Sequence, residues 1–353
     1  MTEPVDRVDV VIVGAGPSGC ITGEIVARKG YDVLILEEHS EIGEPVQCTG
    51  LVSHRIGKIP KEIIVNKIKK ARFYSKNNYF EIKSKKPVYL IDRKKYDKYL
   101  GRKAKKAGAK FKLSTRFLDF RNRKVITTKG AYETSLLVGA DGPNSTVAKV
   151  SGLKLPGNLL KATQVNAKSN FDSDTVKLWF GSEVAPGSFA WVVPENEEIA
   201  RIGLMAFENP SIYLEKFLKK IIGRIETTNR TGDVMRYGLI KKSVADNVLL
   251  VGDAACQVKP FSAGGLIYGK VGAGLAGKAC IAALESNDFS EKFLFENYEK
   301  EWKKKLANPI RLGMIMKKIF YKIQDRPLAF TLIKNFGIAK LSSLLDVDFL
   351  EKS

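Results

Sequence analysis

A glycine-rich turn near the start of the chain restricts the possible folds more than any other feature of the sequence. The apolar run at residues 8–13, rich in β-branched side chains, leads directly into Gly14-Ala15-Gly16-Pro17-Ser18-Gly19. Residues 18–29 then have helical spacing, and residues 31–36 form a second apolar run after Gly30. This order of strand, glycine turn, helix and strand predicts the βαβ unit that binds dinucleotides in α/β folds.

Each glycine of this turn has a physical reason to be glycine. Gly14 permits a tight turn, Gly16 lets the backbone approach a pyrophosphate, and Gly19 lets the helix pack on the strand. The helix N-terminus adds free N–H groups that bind phosphate oxygens. The predicted cofactor-binding turn is completed by Ala15, Pro17 and Ser18.

An acidic residue stands where a ribose-binding carboxylate is expected. Glu37 follows the second apolar run, 18 residues after Gly19, and Glu38 comes next. A carboxylate at this place accepts hydrogen bonds from ribose hydroxyls, and its charge disfavours a ligand with a 2′-phosphate. Both glutamates therefore belong to the predicted cofactor site.

Charge and cysteine content limit the class of protein. The 353 residues include 59 Lys and Arg against 38 Asp and Glu, a formal net charge of +21. This excess either attracts an anionic partner, such as a membrane or an anionic substrate, or is the lysine-rich surface of many thermophile proteins. The cysteines and histidines lack zinc-site and disulfide spacing, so no metal is predicted. The sequence offers no signal peptide and no apolar run of about 20 residues, which predicts a cytoplasmic protein without a membrane-spanning helix.

A second glycine motif follows another apolar strand. Residues 247–251 lead into Gly252-Asp253-Ala254-Ala255, then Pro260, then Gly264-Gly265-Leu266 and a helix rich in small residues. This segment resembles the two-domain flavoproteins of the aromatic-hydroxylase and geranylgeranyl-reductase superfamily. The resemblance implies FAD as cofactor, with Gly252 and Asp253 at its ribityl and pyrophosphate region and the loop after Pro260 on the flavin ring. Small residues let the backbone reach a flat ring, and a helix N-terminus stabilises negative charge on reduced flavin.

Two shorter segments carry the same resemblance. Asp141-Gly142 resembles the superfamily's Asp-Gly motif, close to the flavin and to the approach of a nicotinamide. Ala148 stands where the family usually has an arginine, which argues against a tight NADPH site. Arg93 resembles the family's flavin-contacting arginine, and an ordinary surface arginine is the alternative.

Two further segments resemble the geranylgeranyl-reductase branch. Residues 186–194 (PGSFAWVVP) are similar to its Pro-x-x-Tyr-x-Trp-x-Phe-Pro motif, with Phe189 in place of the tyrosine. The resemblance implies that Phe189, Trp191, Val193 and Pro194 line a hydrophobic cavity for an isoprenoid chain; the alternative is an aromatic strand facing the core. Cys48, in the sequence QCTGL, matches a cysteine loop close to the flavin, where a thiol either donates a proton or only packs.

These segments predict an α/β fold with a three-layer FAD-binding Rossmann-type domain, an inserted mixed-sheet substrate domain and a C-terminal helical region. The FAD domain is predicted from residues 1–70, 91–150 and 237–290, the substrate domain from 71–90 and 151–236, and the helical region from 291–353. In that last region, Trp302, Leu306 and Ile310 have four-residue spacing beside several lysines. This pattern is typical of an interfacial helix on anionic lipid, or of a helix that packs on the FAD domain.

The reaction that the resemblance implies is the FAD-dependent reduction of C=C bonds in geranylgeranyl chains of membrane lipids. The alternatives are an FAD-dependent monooxygenase or halogenase of the same superfamily, and a non-catalytic flavin electron-transfer protein. The expected partners are an isoprenoid lipid and an electron donor, either a ferredoxin-like protein or a reduced nicotinamide. We also expect peripheral contact with the inner membrane surface and no nucleic acid.

Overall fold

The computed structural model describes residues 6–76, 78–223, 225–323 and 325. The strands in this part of the chain are β1 (Asp6–Val13), β2 (Val33–Leu36), β3 (Leu51–Ser53), β4 (Ile64–Ser75), β5 (Asn78–Ile91), β6 (Lys110–Lys112), β7 (Phe117–Arg121), β8 (Lys124–Thr127), β9 (Gly130–Gly139), β10 (Leu159–Lys168), β11 (Thr175–Phe180), β12 (Phe189–Pro194), β13 (Ile199–Ala206), β14 (Glu226–Arg236), β15 (Val244–Ala245) and β16 (Val248–Leu250). The α-helices are α1 (Pro17–Ala27), α2 (Arg93–Lys106), α3 (Thr146–Val150), α4 (Pro210–Phe217), α5 (Leu266–Ser286), α6 (Glu291–Leu294) and α7 (Lys300–Ile323).

The first sheet has the order β15-β16-β9-β1-β2-β6, with β8 and β7 added beside β9. Strands β16, β9, β1, β2 and β6 run parallel, and β2 and β16 are buried throughout, as expected for a parallel sheet. Val13 lies opposite both Leu36 and Gly139, and Leu250 lies opposite Gly139. Four parallel strands therefore end at one edge of the sheet, which confirms the predicted α/β class.

The second sheet has the order β14-β10-β13-β12-β11-β4-β5-β3, and it is antiparallel except where β11 pairs with β4. Helix α4 covers one face, where Leu214 and Phe217 join an apolar cluster. The other face carries Trp191 and Val193, and Val258 from the loop after β16 packs against it. This inner face is therefore turned toward the loops of the first sheet.

The second sheet begins earlier in the chain than the predicted substrate segment 71–90. Strand β3 and the first residues of β4 belong to it. Pairing along β4 and β5 continues from Ile64 opposite Ile91 to Ser75 opposite Asn78, so the predicted boundary at residue 70 divides one long hairpin. The division of the chain into domains stays a prediction, but its first boundary does not coincide with the sheets.

Helix α5 is the described helix that is long and apolar enough, by length and composition, to cross a membrane, which the sequence analysis did not predict. More than half of its most apolar window, 56%, is buried inside the protein. It packs on α1, where Gly277 lies against Ile25. Core packing therefore accounts for its apolar character.

The C-terminal helices pack on the first sheet's core. A π-helical turn, Phe295–Glu299, joins α6 to α7. Trp302, Leu306 and Ile310 are at most 5% exposed and belong to the main core cluster, and the Trp302 indole donates to Ser243 Oγ at 3.0 Å. The prediction that these three side chains face lipid is wrong, and packing on the FAD domain is confirmed. Residues 324 and 326–353 of the predicted helical region lie outside the described residues.

Candidate FAD and substrate site

All four predicted cofactor motifs of the first sheet lie at the same edge. The glycine turn follows β1, Glu37 follows β2, Asp141 follows β9, and Gly252 follows β16. These strands are parallel and end in register, so the loops after them converge. The carboxyl edge of a parallel sheet is where α/β proteins bind dinucleotides.

The glycine turn has little room for side chains where it meets its neighbours. Gly14 has φ +103°, and a Cβ there would overlap the Ala140 carbonyl oxygen. A Cβ at Gly19 would overlap the carbonyl oxygen of Gly14. Gly16 differs, because a Cβ there would meet no atom within 4 Å. The turn is therefore closed toward the protein and open at Gly16, where the pyrophosphate is predicted.

The two glycine motifs meet at Ser18. A Cβ at Gly252 would lie 2.9 Å from Ser18 Cβ, and a Cβ at Gly269 would lie 2.7 Å from Ser18 Oγ. The Gly252 N–H donates to Gln257 Oε1 at 2.8 Å, and Gln257 Nε2 donates to the Tyr298 hydroxyl at 3.0 Å. The start of α1, the turn after β16 and helix α5 are thus held in direct contact.

Glu37 lies beside the glycine turn, and its side chain is 13% exposed. Its carboxylate accepts the Ala15 N–H at 2.9 Å and the His39 N–H at 3.0 Å. These bonds fix the carboxylate at the end of β2, where ribose binding is predicted. Glu38 is exposed to solvent.

Arg93 begins α2 and is partly buried, with its side chain 16% exposed, which argues against an ordinary surface arginine. Its guanidinium forms two hydrogen bonds with Asp97, at 3.2 and 3.0 Å, and also interacts with the Cys48 thiol. Burial opposes its charge, but the Asp97 carboxylate and Cys48 outweigh that effect and hold the pKa of Arg93 above its usual range. Burial raises the pKa of Asp97, which Arg93 partly offsets.

Asp253, in the turn after β16, is exposed to solvent on one side. Gly265 is so close that a Cβ there would lie 2.8 Å from Asp253 Oδ1. The protein atoms around its carboxyl group raise the pKa of Asp253, and Arg93 lowers it. Asp233 of β14, in the second sheet, interacts electrostatically with both groups, and burial raises its pKa to about 7. Two carboxyl groups and one guanidinium are therefore close enough to interact.

The Asp141 carboxylate forms hydrogen bonds within its own loop. Its carboxylate accepts hydrogen bonds from Ser145 Oγ at 2.6 Å and from the Val147 N–H at 3.0 Å. Burial raises the pKa of Asp141, which these bonds partly offset. Gly142 has φ +79° and open space on its Cβ side, whereas Ala148 is fully buried. The Asp141 carboxylate thus stabilises the turn. Ala148, which stands where the family usually has an arginine, lies in the core.

The Cys48 loop is attached to the second sheet. Thr49 Oγ1 donates to Gln164 Oε1 at 2.7 Å, and Arg201 Nη1 donates to the Thr49 carbonyl oxygen at 2.6 Å. Cys48 is partly exposed, and its sulfur accepts the Gly50 N–H at 3.3 Å. These bonds place a thiol between Arg93 and the inner face of the second sheet.

Strand β12 carries the predicted substrate residues. Phe189, Trp191 and Val193 lie on the inner face, whereas Val192 faces α4. The Trp191 indole donates to Gln164 Oε1 at 3.1 Å, the same oxygen that Thr49 bonds. Val193 and Pro194 are buried, so Phe189 is the member of this set that lines a described pocket. The core-facing alternative therefore fits Trp191, Val193 and Pro194.

The loop that contains Pro260 packs against the C-terminal helix α7. Pro260 is buried, and a Cβ at Gly313 of α7 would lie 2.9 Å from its Cδ. The Lys259 N–H donates to the Gly264 carbonyl oxygen at 3.1 Å, and α5 begins at Leu266 without a side-chain cap. Its N-cap, Gly265, has no side chain to accept the first N–H groups of the helix.

These residues fit FAD. The uncapped N-termini of α1 and α5 and the open space at Gly16 and Gly142 lie around one edge of the sheet. That edge offers phosphate donors, a ribose acceptor and small residues for a flat ring. The individual contacts with FAD stay predictions.

Sequence reasoning missed Asp233, Arg201 and Gln164. The position of Asp233 could have been predicted, because side chains alternate between the two faces of a strand and Asp233 shares its face with the apolar Met235 and Tyr237. Arg201 and Gln164 act by contacts between strands far apart in sequence, for which a single sequence carries no pattern.

Comparison with known proteins agrees with this site. The model of the FAD binding domain family matches residues 7–284. Digeranylgeranylglycerophospholipid reductases of Methanosarcina acetivorans and Methanocaldococcus jannaschii are 31% and 33% identical to this chain; the matches cover 98% and 93% of the chain and 92% and 90% of those proteins.

Solved structures show the same fold. A geranylgeranyl bacteriochlorophyll reductase-like protein of Thermoplasma acidophilum superimposes with a TM-score of 0.83 at 24% identity, covering 98% of this chain and 100% of that one. A flavin-dependent brominase gives 0.76 at 16% identity, covering 97% and 94%. These two likenesses concern the fold, whereas the full-length sequence matches define the relationship: the chain belongs to the digeranylgeranylglycerophospholipid reductase family of FAD-binding oxidoreductases.

Proposed function

We propose that the protein is an FAD-dependent reductase that saturates C=C bonds in the geranylgeranyl chains of membrane lipids. The observation that carries this proposal is the apolar inner face of the second sheet, where the partly exposed Phe189 lies in one row with the buried Trp191 and Val193. A hydrocarbon chain offers no hydrogen-bonding groups, so its binding depends on burial against such a surface. The names of the full-length relatives support the same substrate class.

The chain's own residues bind the cofactor and hold a proton. The turn at residues 14–19 and Glu37 hold the adenosine diphosphate half, and the N-terminus of α5 lies at the predicted ring site. Reduced FAD, when bound, supplies a hydride. We infer that Cys48 Sγ holds the proton required at the neighbouring carbon. The Arg93 guanidinium interacts with this thiol and positions it.

The test uses FAD-loaded protein reduced chemically without oxygen. Digeranylgeranylglyceryl phosphate should reoxidise the flavin, and mass spectrometry should detect one H₂ gained per reduced bond. The fully saturated lipid is the control and should leave the flavin reduced. Reoxidation by oxygen or small polar compounds alone would exclude the lipid reductase.

For the electron donor, we propose an acidic ferredoxin-like protein, with reduced nicotinamide as the alternative. The formal charge of +21 favours an acidic carrier, and the sequence lacks a second glycine fingerprint. Reduction by ferredoxin should be faster than by NADPH and should slow as salt increases. Rapid flavin bleaching by micromolar NADPH would instead favour the nicotinamide.

For a cytoplasmic protein that takes lipid from the inner membrane surface, we propose the outer face of α7 as the contact. Ile315 and Ile319 are 56% and 54% exposed, and exposed basic residues flank them at Arg311, Lys318 and Lys322. Basic residues beside exposed apolar groups favour anionic lipid. The double variant Ile315→Ser/Ile319→Ser should weaken co-sedimentation with anionic vesicles, whereas Leu118→Ser, equally a loss of an exposed apolar side chain, should not. Equal binding by both variants would exclude this face.

A further inference from the structure

The last part of helix α7 covers the predicted lipid surface of the second sheet. We call this part, residues 313–323, the distal segment. The Phe320 ring packs edge-on against Phe180 of β11, with ring centres 4.8 Å apart, and against Phe261, with ring centres 5.3 Å apart. Phe189, the partly exposed member of the predicted substrate row, packs against the same aromatic cluster. The distal segment is therefore in contact with the surroundings of Phe189.

The space left beneath the distal segment is very small. It admits about one water molecule and is lined by four phenylalanines: Phe180, Phe189, Phe261 and Phe320. An isoprenoid chain needs more room than a water molecule, so it cannot reach Phe189 while Phe320 keeps this place. The protein's own side chains thus occupy the surface to which we assign the lipid.

The two parts of α7 are held by different sheets. Trp302 and Ile310 belong to the main core cluster around the first sheet, whereas Met314 and Phe320 pack on clusters of the second sheet. Gly313 lies between these two parts, and glycine in a helix interior is less favourable than alanine. A bend at Gly313 would release the distal segment and leave the core contacts of Trp302 and Ile310 in place.

The contact between the distal segment and the second sheet leaves polar groups unsatisfied. Lys317 is 5% exposed, and no carboxylate of the described residues pairs with it. The rings of Tyr237 and Tyr321 compensate its charge only partly. Ser188 Oγ and Tyr321 Oη are buried without a hydrogen bond in the described part of the chain. Because water would satisfy all three groups, they favour a state in which the segment has moved away from the sheet.

We propose that the distal segment is a lid and that Phe320 is the side chain that the lipid displaces. In the open state the hydrocarbon chain packs between Phe180 and Phe261 in place of the Phe320 ring, so the lipid restores the apolar burial that the lid loses. The outer face of the same segment carries Ile315 and Ile319, which we assign to membrane contact, and the lid therefore opens toward the source of the lipid. This inference rests on the proposed function, because a geranylgeranyl lipid is the ligand that opens the lid.

The first experiment follows the lid through a cysteine placed at a buried position of the distal segment. In oxidised, FAD-loaded Lys317→Cys in neutral detergent, digeranylgeranylglyceryl phosphate should raise the alkylation rate at position 317 by about tenfold or more, as expected when a ligand binds only the open state. Lys318→Cys is the control, since this neighbouring lysine is exposed and position 318 should react equally with and without lipid. Peptide mass spectrometry distinguishes these labels from a label on Cys48.

The second experiment removes the blocking ring. Phe320→Ala should speed flavin reoxidation at low lipid concentration by about threefold or more, because the loss of two ring contacts increases the open fraction. Phe295→Ala is the control, since it removes an exposed phenylalanine from the turn before α7 and should leave the rate unchanged.

The opposite outcomes overturn the lid or the proposed function separately. Unchanged or slower reoxidation in Phe320→Ala would mean that this ring does not block the lipid. Lipid that binds and reoxidises the flavin without faster alkylation at position 317 would mean that the segment stays closed. Either result overturns the lid alone. If the lipid neither binds nor reoxidises the flavin of the wild type, the proposed function fails and the lid fails with it.

Discussion

Ser18, in the first turn of α1, packs against Gly252, in the turn after β16, and leaves no space between them for a methyl group. One contact thus joins two motifs that are more than 200 residues apart in the sequence. The pyrophosphate turn and the predicted ribityl-contacting turn hold each other in position.

Gly252→Ala should therefore reduce FAD content and lower the melting temperature. Gly252 has φ +67°, a region that costs other residues about 1–2 kcal/mol, and the new methyl group would also displace Ser18. Gly274→Ala is the matched control, because a Cβ at Gly274 in α5 meets no atom within 4 Å. Flavin absorbance per protein and thermal unfolding measure both effects. Full FAD content in Gly252→Ala would contradict the expectation.

Glu37→Gln should weaken FAD binding by about tenfold or more, since it replaces a charged hydrogen-bond acceptor by a neutral one. Glu38→Gln is the control, because the neighbouring glutamate is exposed. Equilibrium dialysis against FAD gives both dissociation constants. Similar losses in the two variants would mean that general charge, and not a ribose contact, is responsible.

Cys48→Ala should slow flavin reoxidation by lipid by about tenfold or more, while FAD stays bound, because general acid catalysis contributes about 10²–10⁴. Stopped-flow absorbance of the reduced protein mixed with lipid measures the rate. Cys20→Ala is the comparison for the loss of a thiol, since Cys20 is fully buried and burial raises its pKa above the usual range. An unchanged rate with reduced stability in Cys48→Ala would assign the thiol to packing.

Asp233→Asn should change how stability depends on pH. The folded protein holds the Asp233 proton up to about pH 7, whereas an unfolded chain releases it near about pH 3.9. The wild type therefore loses stability as pH rises through this window, and the neutral amide does not. The melting temperature of Asp233→Asn minus that of the wild type should rise between about pH 4 and pH 7. Arg93 and Asp253 both interact with the Asp233 carboxyl group. A difference in melting temperature that does not change with pH would mean that their charges offset the effect of burial on the pKa of Asp233.

Much of the fold could be predicted because its signals are local. The turn at residues 14–19, Glu37 and the turn at Gly252 each follow a short apolar strand, and the structure places all of them at one sheet edge. The boundaries of the strands were less predictable. Strand β4 begins at Ile64, seven residues before the predicted substrate segment 71–90, because its pairing with β5 starts there.

The helical C-terminal segment illustrates a real ambiguity of periodicity. Trp302, Leu306 and Ile310 have the spacing of an apolar stripe on one face of a helix. Such a stripe can be buried either in lipid or in the protein core, and in this structure it is buried in the core. Neighbouring lysines differ in the same way, because Lys317 is buried against tyrosine rings whereas Lys318 is exposed. Only the tertiary arrangement decides which side chains of an amphipathic helix meet solvent.

The attachments of the Cys48 loop determine which part of the molecule the thiol moves with. Arg201 bonds the Thr49 and Ile91 carbonyl oxygens, and Gln164 bonds Thr49, so the loop is fastened to the strands of the second sheet. A substitution that shifts this sheet to admit a different lipid will carry the thiol in the same direction. The position of the predicted proton donor relative to the predicted lipid surface is thus determined within the second sheet.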